Sequence, residues 1–191
     1  MSNTVIWVIL AIVVLVCALV WVRSYNRLIR QRNWVEEAFS QIDVQLQKRN
    51  DLIPNLVNTV KGYTQHERGT LAEVTAARQQ LLALQKQGAG QVEAINEASN
   101  HLSSALHRLF AVAEQYPDLK ANTNFTQLQQ SLSAVEGDLA VARQLYNSSV
   151  SQYNISLEAF PSNIIAKAHG FQKATRLVAE EDVRQVPNVS F

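Results

Sequence analysis

Histidine and carboxylate side chains are the groups of this chain most able to perform acid–base or metal chemistry. His66 and Glu67 are adjacent, but no second histidine follows four residues later, as the helical zinc-protease motif requires. His101 and His107 are about 240° apart around a helix, so they cannot hold one ion together. We therefore predict no metal, no cofactor and no enzymatic activity. The least favoured alternative is a hydrolase or metal enzyme that uses Asp51, His66 or Glu67.

The charge composition narrows the classes of partner. The chain has 17 basic and 16 acidic residues, a formal net charge of +1. A nucleic-acid-binding surface needs an excess of basic residues, so we predict no nucleic-acid partner. Lys61 and Gly62 lack the remainder of a glycine-rich phosphate loop. The sequence therefore favours contacts with lipid and with other proteins.

An apolar segment near the N-terminus, residues 5–22, is long enough to cross a membrane. At ~1.5 Å rise per residue it gives roughly 27 Å of helix, close to the ~30 Å hydrocarbon core of a bilayer. Trp7 and Trp21 lie at its two ends, where aromatic rings settle at headgroup level. Four arginines follow and are expected to contact anionic headgroups: Arg23, Arg27, Arg30 and Arg32. A secretory signal would need a basic stretch before the segment and a small-residue cleavage site, and neither is present.

The distribution of basic residues predicts the orientation of this anchor. They flank only its C-terminal end, so the positive-inside rule places residues 1–4 on the extracytoplasmic side of the membrane and the body in the cytoplasm. The expected location is the bacterial inner membrane, crossed once. Cys17 is the only cysteine, which excludes a disulfide within the chain, and we expect it to face lipid.

Residues 23–171 are expected to form an all-α, antiparallel up-and-down bundle of three long helices and a short fourth, followed by an extended tail at residues 172–191. The first apolar seam runs from Leu28 to Leu84 and falters at Arg49 and around residues 67–70. It starts shortly after the anchor, so the membrane helix is predicted to continue into the body. Pro54 predicts either a kink or a helix restart capped near Asp51.

The third helix has the strongest apolar pattern. Large residues recur every seven positions, which predicts a core seam: Phe125, Leu132, Leu139, Tyr146, Tyr153 and Phe160. Before it, a second helix should end at Pro117, and Asn122 or Asn124 should cap the third. Pro161 should end it.

Two interpretations stay open for the polar residues that interrupt the first seam and follow the tyrosines of the third helix. They either pair across helices and fix register, or they face water. The residues are Asn50, Asp51, Asn55, Asn58, Lys61, His66, Asn147 and Asn154.

Several long strings resemble the bacterial LemA family: residues 41–67 (QIDVQLQKRNDLIPNLVNTVKGYTQHE), 113–128 (AEQYPDLKANTNFTQL) and 160–166 (FPSNIIA). The resemblance implies a single-pass bacterial membrane protein with a helical bundle. The family includes proteins of magnetosome formation but has no assigned reaction, so it supplies no catalytic set. The motif positions, with a structural or interaction role, are Asp51, Leu52, Pro54, Asn55, Lys61, Gly62, His66, Glu67, Tyr116, Pro117, Tyr146, Asn147, Tyr153, Asn154, Phe160 and Pro161.

The leading functional hypothesis is therefore a membrane-anchored, non-enzymatic scaffold. It is expected to form a homo-oligomer or to recruit membrane-associated protein partners that the sequence does not identify. The alternative is a ligand-sensing helical bundle on the extracytoplasmic side of the membrane. It is less favoured because such a sensor needs a second membrane crossing or an output module, and the sequence contains neither.

Overall fold

A computed structural model of the chain describes residues 2–63, 67–87 and 89–178. Within these ranges it contains helices and no strand, which confirms the all-α class. The helices are α1 (Ser2–Lys61), α2 (Arg68–Gln85), α3 (Val92–Ala113), α4 (Pro117–Lys120), α5 (Thr123–Glu158) and α6 (Ser162–Ala168), and a 3₁₀ turn at Ala89–Gln91 precedes α3.

The chain divides into two compact units. We call Met1–Ala38 with Leu145–Arg176 the anchor unit, and Phe39–Gln144 with Leu177–Phe191 the core unit. The first and fifth helices contribute residues to both.

The apolar segment lies in α1, which confirms that its helix continues into the body. Every large apolar side chain from Val5 to Val22 is exposed, and Trp7 has 69% of its surface accessible. In the part of the chain that the structure describes, α1 is the one helix long and apolar enough to cross a membrane. A run of exposed apolar side chains of this length is expected to be covered by lipid.

Helix α1 passes through Pro54 without ending, so of the two alternatives for this proline the restart near Asp51 is wrong. Proline has no N–H, and the carbonyl of Asn50, four residues earlier, loses its helical donor. The Nε of Arg78 in α2 donates to that oxygen at 2.8 Å. A side chain from another helix thus replaces the missing hydrogen bond.

The first predicted helix is two helices in the structure. Helix α1 ends at Lys61 and α2 begins at Arg68, close to the point where the seam falters. Helix α2 runs antiparallel to α1, because α2 begins at Arg68, soon after α1 ends at Lys61, and Gln85 at the far end of α2 hydrogen-bonds back to Asp43 and Asn50 of α1. Helix α3 follows α2, and an Arg108–Glu73 ion pair joins the two.

A side-chain cap and a short helix mark the start of α5 and the segment before it. Asn122 caps α5 as expected, since its Oδ1 accepts the N–H of Phe125 at 3.1 Å. The second predicted helix corresponds to α3, which ends at Ala113, and a short helix, α4, begins at Pro117. Proline is tolerated in a first helical turn, and Leu119 of α4 is fully buried.

The seven-residue line of α5 is buried at Phe125, Leu132, Leu139, Tyr146 and Tyr153. Phe160 is 80% exposed, so its place in the core seam is wrong. The reason is that α5 ends at Glu158, and the helical period no longer applies to Phe160. Residues 171–178 have no regular secondary structure, as expected for the first part of the tail, while residues 179–191 lie outside the described residues.

Candidate functional site

Of the three residues proposed for acid–base or metal chemistry, the structure describes Asp51 and Glu67. Asp51 is exposed and accepts a hydrogen bond from Nε2 of Gln47 at 2.8 Å. Glu67 precedes α2 without a side-chain capping bond, and His66 lies outside the described residues. Among the residues that the structure describes, no cluster of three histidine, cysteine or carboxylate groups is placed to hold a metal.

The polar residues of the first motif string mostly face water. Asp51, Asn55, Asn58 and Lys61 are exposed, as are Pro54 and Gly62, while Leu52 is half-buried. Asn50 is fully buried, and its Nδ2 donates to Oε1 of Gln85 at 2.9 Å. Asn50 therefore fits the pairing interpretation, and its exposed neighbours fit the solvated one.

Arg49 forms a buried polar network in the core unit. Its residue surface is 1% exposed, and Nη2 lies 3.0 Å from Oε2 of Glu136 on α5. The same nitrogen donates to Oγ of Ser103 on α3 at 2.8 Å. Nη1 donates to the carbonyl oxygen and the hydroxyl of Ser99, at 3.4 Å each. One guanidinium thus links α1, α3 and α5.

Two further bonds close this network. Oγ of Ser103 donates to Oε1 of Glu136 at 3.0 Å, and Nη2 of Arg143 donates to Oγ of Ser99 at 2.9 Å. Burial lowers the pKa of Arg49, Glu136 opposes that shift and Arg143 adds to it. An arginine remains charged at neutral pH, so the network holds two cations and one anion. In the sequence, this network was visible only as one charged residue, Arg49, on the apolar side of the first helix.

A second polar cluster lies in the anchor unit, immediately after the apolar segment. The ring of Tyr25 lies 4.8 Å from that of His169 and 5.9 Å from that of Phe171. The ring of Trp21 lies 6.0 Å from that of His169. The guanidinium carbon of Arg32 lies 5.9 Å from the centroid of Phe171. Aromatic rings therefore lie beside both the guanidinium and the imidazole of this cluster.

Tyr25, Arg32, His169 and Phe171 line a pocket of about 440 Å³, which we call the juxtamembrane pocket. Tyr25 and Arg32 come from α1, Tyr153 comes from α5, and His169, Phe171 and Gln172 follow α6. Burial raises the pKa of the Tyr153 hydroxyl, while Arg32 lowers it and Glu36 raises it. The structure thus brings together two residues singled out from the sequence, Arg32 and Tyr153. His169 was not singled out, because its partners are distant along the chain.

The four juxtamembrane arginines fall on two sides of α1. Arg23, Arg27 and Arg30 are exposed and follow the four-and-three spacing of one helix face. Arg32 belongs to the side of Tyr25 and the juxtamembrane pocket. Its Nε lies 3.8 Å from Oε1 of Glu36, and both of these side chains are more than half exposed. The sequence did not distinguish Arg32 from the other three.

The repeated tyrosine–asparagine pairs of α5 hold the segment after α6. Asn154 donates from Nδ2 to the carbonyl of Ala174 at 2.9 Å and accepts the N–H of Ala174 at 3.0 Å. The hydroxyl of Tyr146 donates to the carbonyl of Thr175 at 2.9 Å, and burial raises the pKa of that hydroxyl. These side chains therefore bind an extended backbone, which the sequence pattern did not predict.

Four of the remaining motif residues lie at helix ends, and a fifth lies within α5. Tyr116 and Pro117 are at the start of α4, half-buried and exposed respectively. Phe160 and Pro161 lie between α5 and α6, and Asn147 is half-buried on α5. Their roles as interaction or structural positions stay predictions.

Comparison with known proteins gives a family and several relatives. A family model described as "LemA family" matches residues 38–191. Magnetosome protein MamQ 2 of Paramagnetospirillum magneticum is 28% identical over 171 residues, covering 78% of this chain and 63% of the relative. Protein LemA of Metamycoplasma hominis is 27% identical over 148 residues, covering 78% and 66%. Magnetosome protein MamQ of Magnetospirillum gryphiswaldense is 24% identical over 170 residues, covering 78% and 62%. The chain thus spans less than two thirds of the length of these relatives.

Proposed function

The chain belongs to the LemA family, and on that premise we propose that it is a membrane-anchored, non-enzymatic scaffold of the bacterial inner membrane. It self-associates or recruits membrane-associated partners through its helical body. The names of its relatives, which are not enzyme names, and the placement of two of them with magnetosomes support an organising role.

One observation carries this proposal. The large apolar side chains of residues 5–22 are all exposed, whereas the rest of the chain buries many of its own in a packed core. A chain built this way is fixed to lipid by one part and presents the other part to partners. The basic residues after the apolar segment support an orientation with the body in the cytoplasm.

A neutral surface of α5 supports self-association. Gln130, Ala134, Gly137 and Val141 are exposed and follow the four-and-three spacing of one helix face. None of these side chains is charged, and a Cβ added at Gly137 would meet nothing within 4 Å. A second helix can approach such a face closely without charge repulsion.

Light scattering after size-exclusion chromatography of the full chain in mild detergent tests self-association. We expect an oligomer at micromolar concentration, and a strict monomer would contradict this part of the proposal. Gly137→Glu should reduce the oligomer by adding a charge to the neutral face. Gly69→Glu is the matched control, because Gly69 is also an exposed helical glycine with open space around it.

Cys17 offers an independent test within a membrane. It is an exposed free thiol on α1. If the apolar helices of two chains meet, mild oxidation of membranes should yield a disulfide-linked dimer that a reductant reverses, and Cys17→Ser should abolish it.

A reporter enzyme fused after Phe191 tests the orientation. Reporter activity restricted to the extracytoplasmic side of the membrane would overturn the cytoplasmic placement of the body.

A further inference from the structure

The juxtamembrane pocket has the size and the lining of a small-ligand site. Its volume of about 440 Å³ lies within the range of 300–1,000 Å³ that is typical of such sites. Tyr25 and Phe171 supply apolar ring surface, and Arg32, His169 and Gln172 supply groups that donate hydrogen bonds. An aromatic wall with a few converging donors suits a ligand that has an acceptor group and an organic body.

The charge of the lining selects an anionic ligand. Arg32 and His169 line the pocket, and none of the described lining residues is a carboxylate. The nearest acidic group on α1 is Glu36, which lies 3.8 Å from Arg32 with both side chains largely exposed. An exposed pair at that distance contributes little, so Arg32 can bind an entering anion without a large loss. A guanidinium matches the planar pair of oxygens that a phosphate group presents.

The pocket begins at the level of the lipid headgroups along α1, and this position favours a lipid phosphate as the anion. At ~1.5 Å per residue, Tyr25 lies about 4.5 Å and Arg32 about 15 Å beyond Val22 along α1. The headgroup layer on each side of a bilayer is roughly 5–8 Å thick, and arginine side chains lean toward the helix N-terminus, here the membrane. Trp21, whose ring contacts His169, marks the boundary of the apolar segment.

We propose that the juxtamembrane pocket binds the headgroup of an anionic phospholipid, with Arg32 and His169 donating hydrogen bonds to its phosphate oxygens. The rings of Tyr25 and Phe171 enclose the glycerol of that headgroup. This inference rests on the anchoring part of the proposed function, not on self-association. It separates Arg32, a ligand-binding residue, from Arg23, Arg27 and Arg30, which attract anionic lipid without a defined site.

The test uses the full chain in a nonionic detergent, titrated with dihexanoyl phosphatidylglycerol. Trp7→Phe and Trp34→Phe leave Trp21 as the only tryptophan, since the chain has three, and its fluorescence reports binding beside His169. Parallel titrations use dihexanoyl phosphatidylcholine and sodium phosphate. Binding is counted per chain, so the result does not depend on whether the protein is monomeric or oligomeric.

Two single-charge variants decide between a pocket and diffuse attraction. We expect Arg32→Gln to raise the Kd for the phosphatidylglycerol about tenfold or more, because it removes a charged hydrogen bond to the ligand. Arg30→Gln removes the same charge from an exposed position outside the pocket, and it should raise the Kd about threefold or less. His169→Gln keeps Arg32 and should also weaken binding. Unchanged melting temperatures identify variants that still fold.

Three results would overturn the proposal. Equal losses in Arg32→Gln and Arg30→Gln would show that only general charge attraction acts. Equal binding of the phosphatidylcholine would remove the selectivity for an anionic lipid. Displacement of the phosphatidylglycerol by an equal concentration of inorganic phosphate would assign the pocket to a free anion. Tighter binding of the phosphatidylglycerol than of either alternative, lost selectively in Arg32→Gln, supports the lipid site.

Discussion

Arginine occurs on the same helix in both units, and its surroundings differ completely. In the core unit Arg49 is sealed among Glu136, Ser99 and Ser103, and its hydrogen bonds are made within the protein. In the anchor unit Arg32 lies over an aromatic ring beside an open pocket, with one long contact to Glu36. A cation whose partners are all internal holds helices together, whereas a cation with unused donors is available to a ligand. The surroundings of each arginine, and not the residue type, therefore decide whether it has a structural or a ligand-binding role.

The largest expected effect removes the counter-charge of the buried arginine. Glu136→Ala leaves the guanidinium of Arg49 buried beside Arg143 without a carboxylate, and the free energy of unfolding should fall by about 3–5 kcal/mol. Urea denaturation of the full chain in detergent measures this. Asp138→Ala, an exposed carboxylate on the same helix, is the control and should change it by about 0.5 kcal/mol or less. Equal losses of unfolding free energy in the two variants would show that the carboxylate of Glu136 is no more important to stability than an exposed one.

Emptying the apolar seam should also destabilise the core unit strongly. Leu139 is 0% exposed on α5, so Leu139→Ala should lower the free energy of unfolding by about 2–5 kcal/mol. Val141→Ala, two residues along and exposed, should change it by about 0.5 kcal/mol or less. Comparable losses in the two variants would mean that α5 has a different face toward the core.

A change in the anchor unit should act locally. Asn154→Ala removes both hydrogen bonds to Ala174, which should release the segment after α6 at a cost of about 1–2 kcal/mol. Faster tryptic cleavage at Lys173 or Arg176, with a nearly unchanged global unfolding midpoint, is the expected result. Gln152→Ala on the exposed side of α5 should leave the cleavage rate unchanged. A large global loss instead would show that this segment is part of the cooperative core.

The smallest effect concerns the proline of α1. Arg78→Ala should cost about 1 kcal/mol, because the Asn50 carbonyl then lacks a donor. In a Pro54→Ala background an N–H becomes available to that carbonyl, and the cost of Arg78→Ala should shrink by about 0.5–1 kcal/mol. A double-mutant cycle with urea denaturation measures the coupling. Strict additivity would show that Arg78 does not replace the missing bond.

The helical class, the exposed apolar segment and most of the core follow from the sequence. Periodicity predicts the burial of Leu132 and Leu139, and the asparagine at position 122 predicts a cap, because both signals are local. Phe160 was assigned to the seam because periodicity alone does not report where a helix ends. The prediction of one helix up to Leu84 was wrong for a related reason, since the apolar spacing resumes in α2 after the break.

The parts of the site that the sequence did not predict are long-range pairings. The partners of Arg49 are about 50 and 90 residues away, and those of Asn154 and Tyr146 lie after α6. Single-residue patterns carry no information about which distant side chain completes a hydrogen bond. The charge at position 49 and the tyrosine–asparagine repeats were visible, but the chemistry that they serve required the fold.

Asn154 holds its partner segment by main-chain atoms alone, and this has an evolutionary consequence. The side chain at position 174 takes no part in either bond, so substitutions there leave the grip intact unless they introduce proline, which lacks the N–H. The side chain at position 174 can therefore change without removing the two hydrogen bonds that fix this segment to α5. The surface that position 174 presents and the hydrogen bonds that hold its backbone depend on different atoms, so the first can change while the second is kept.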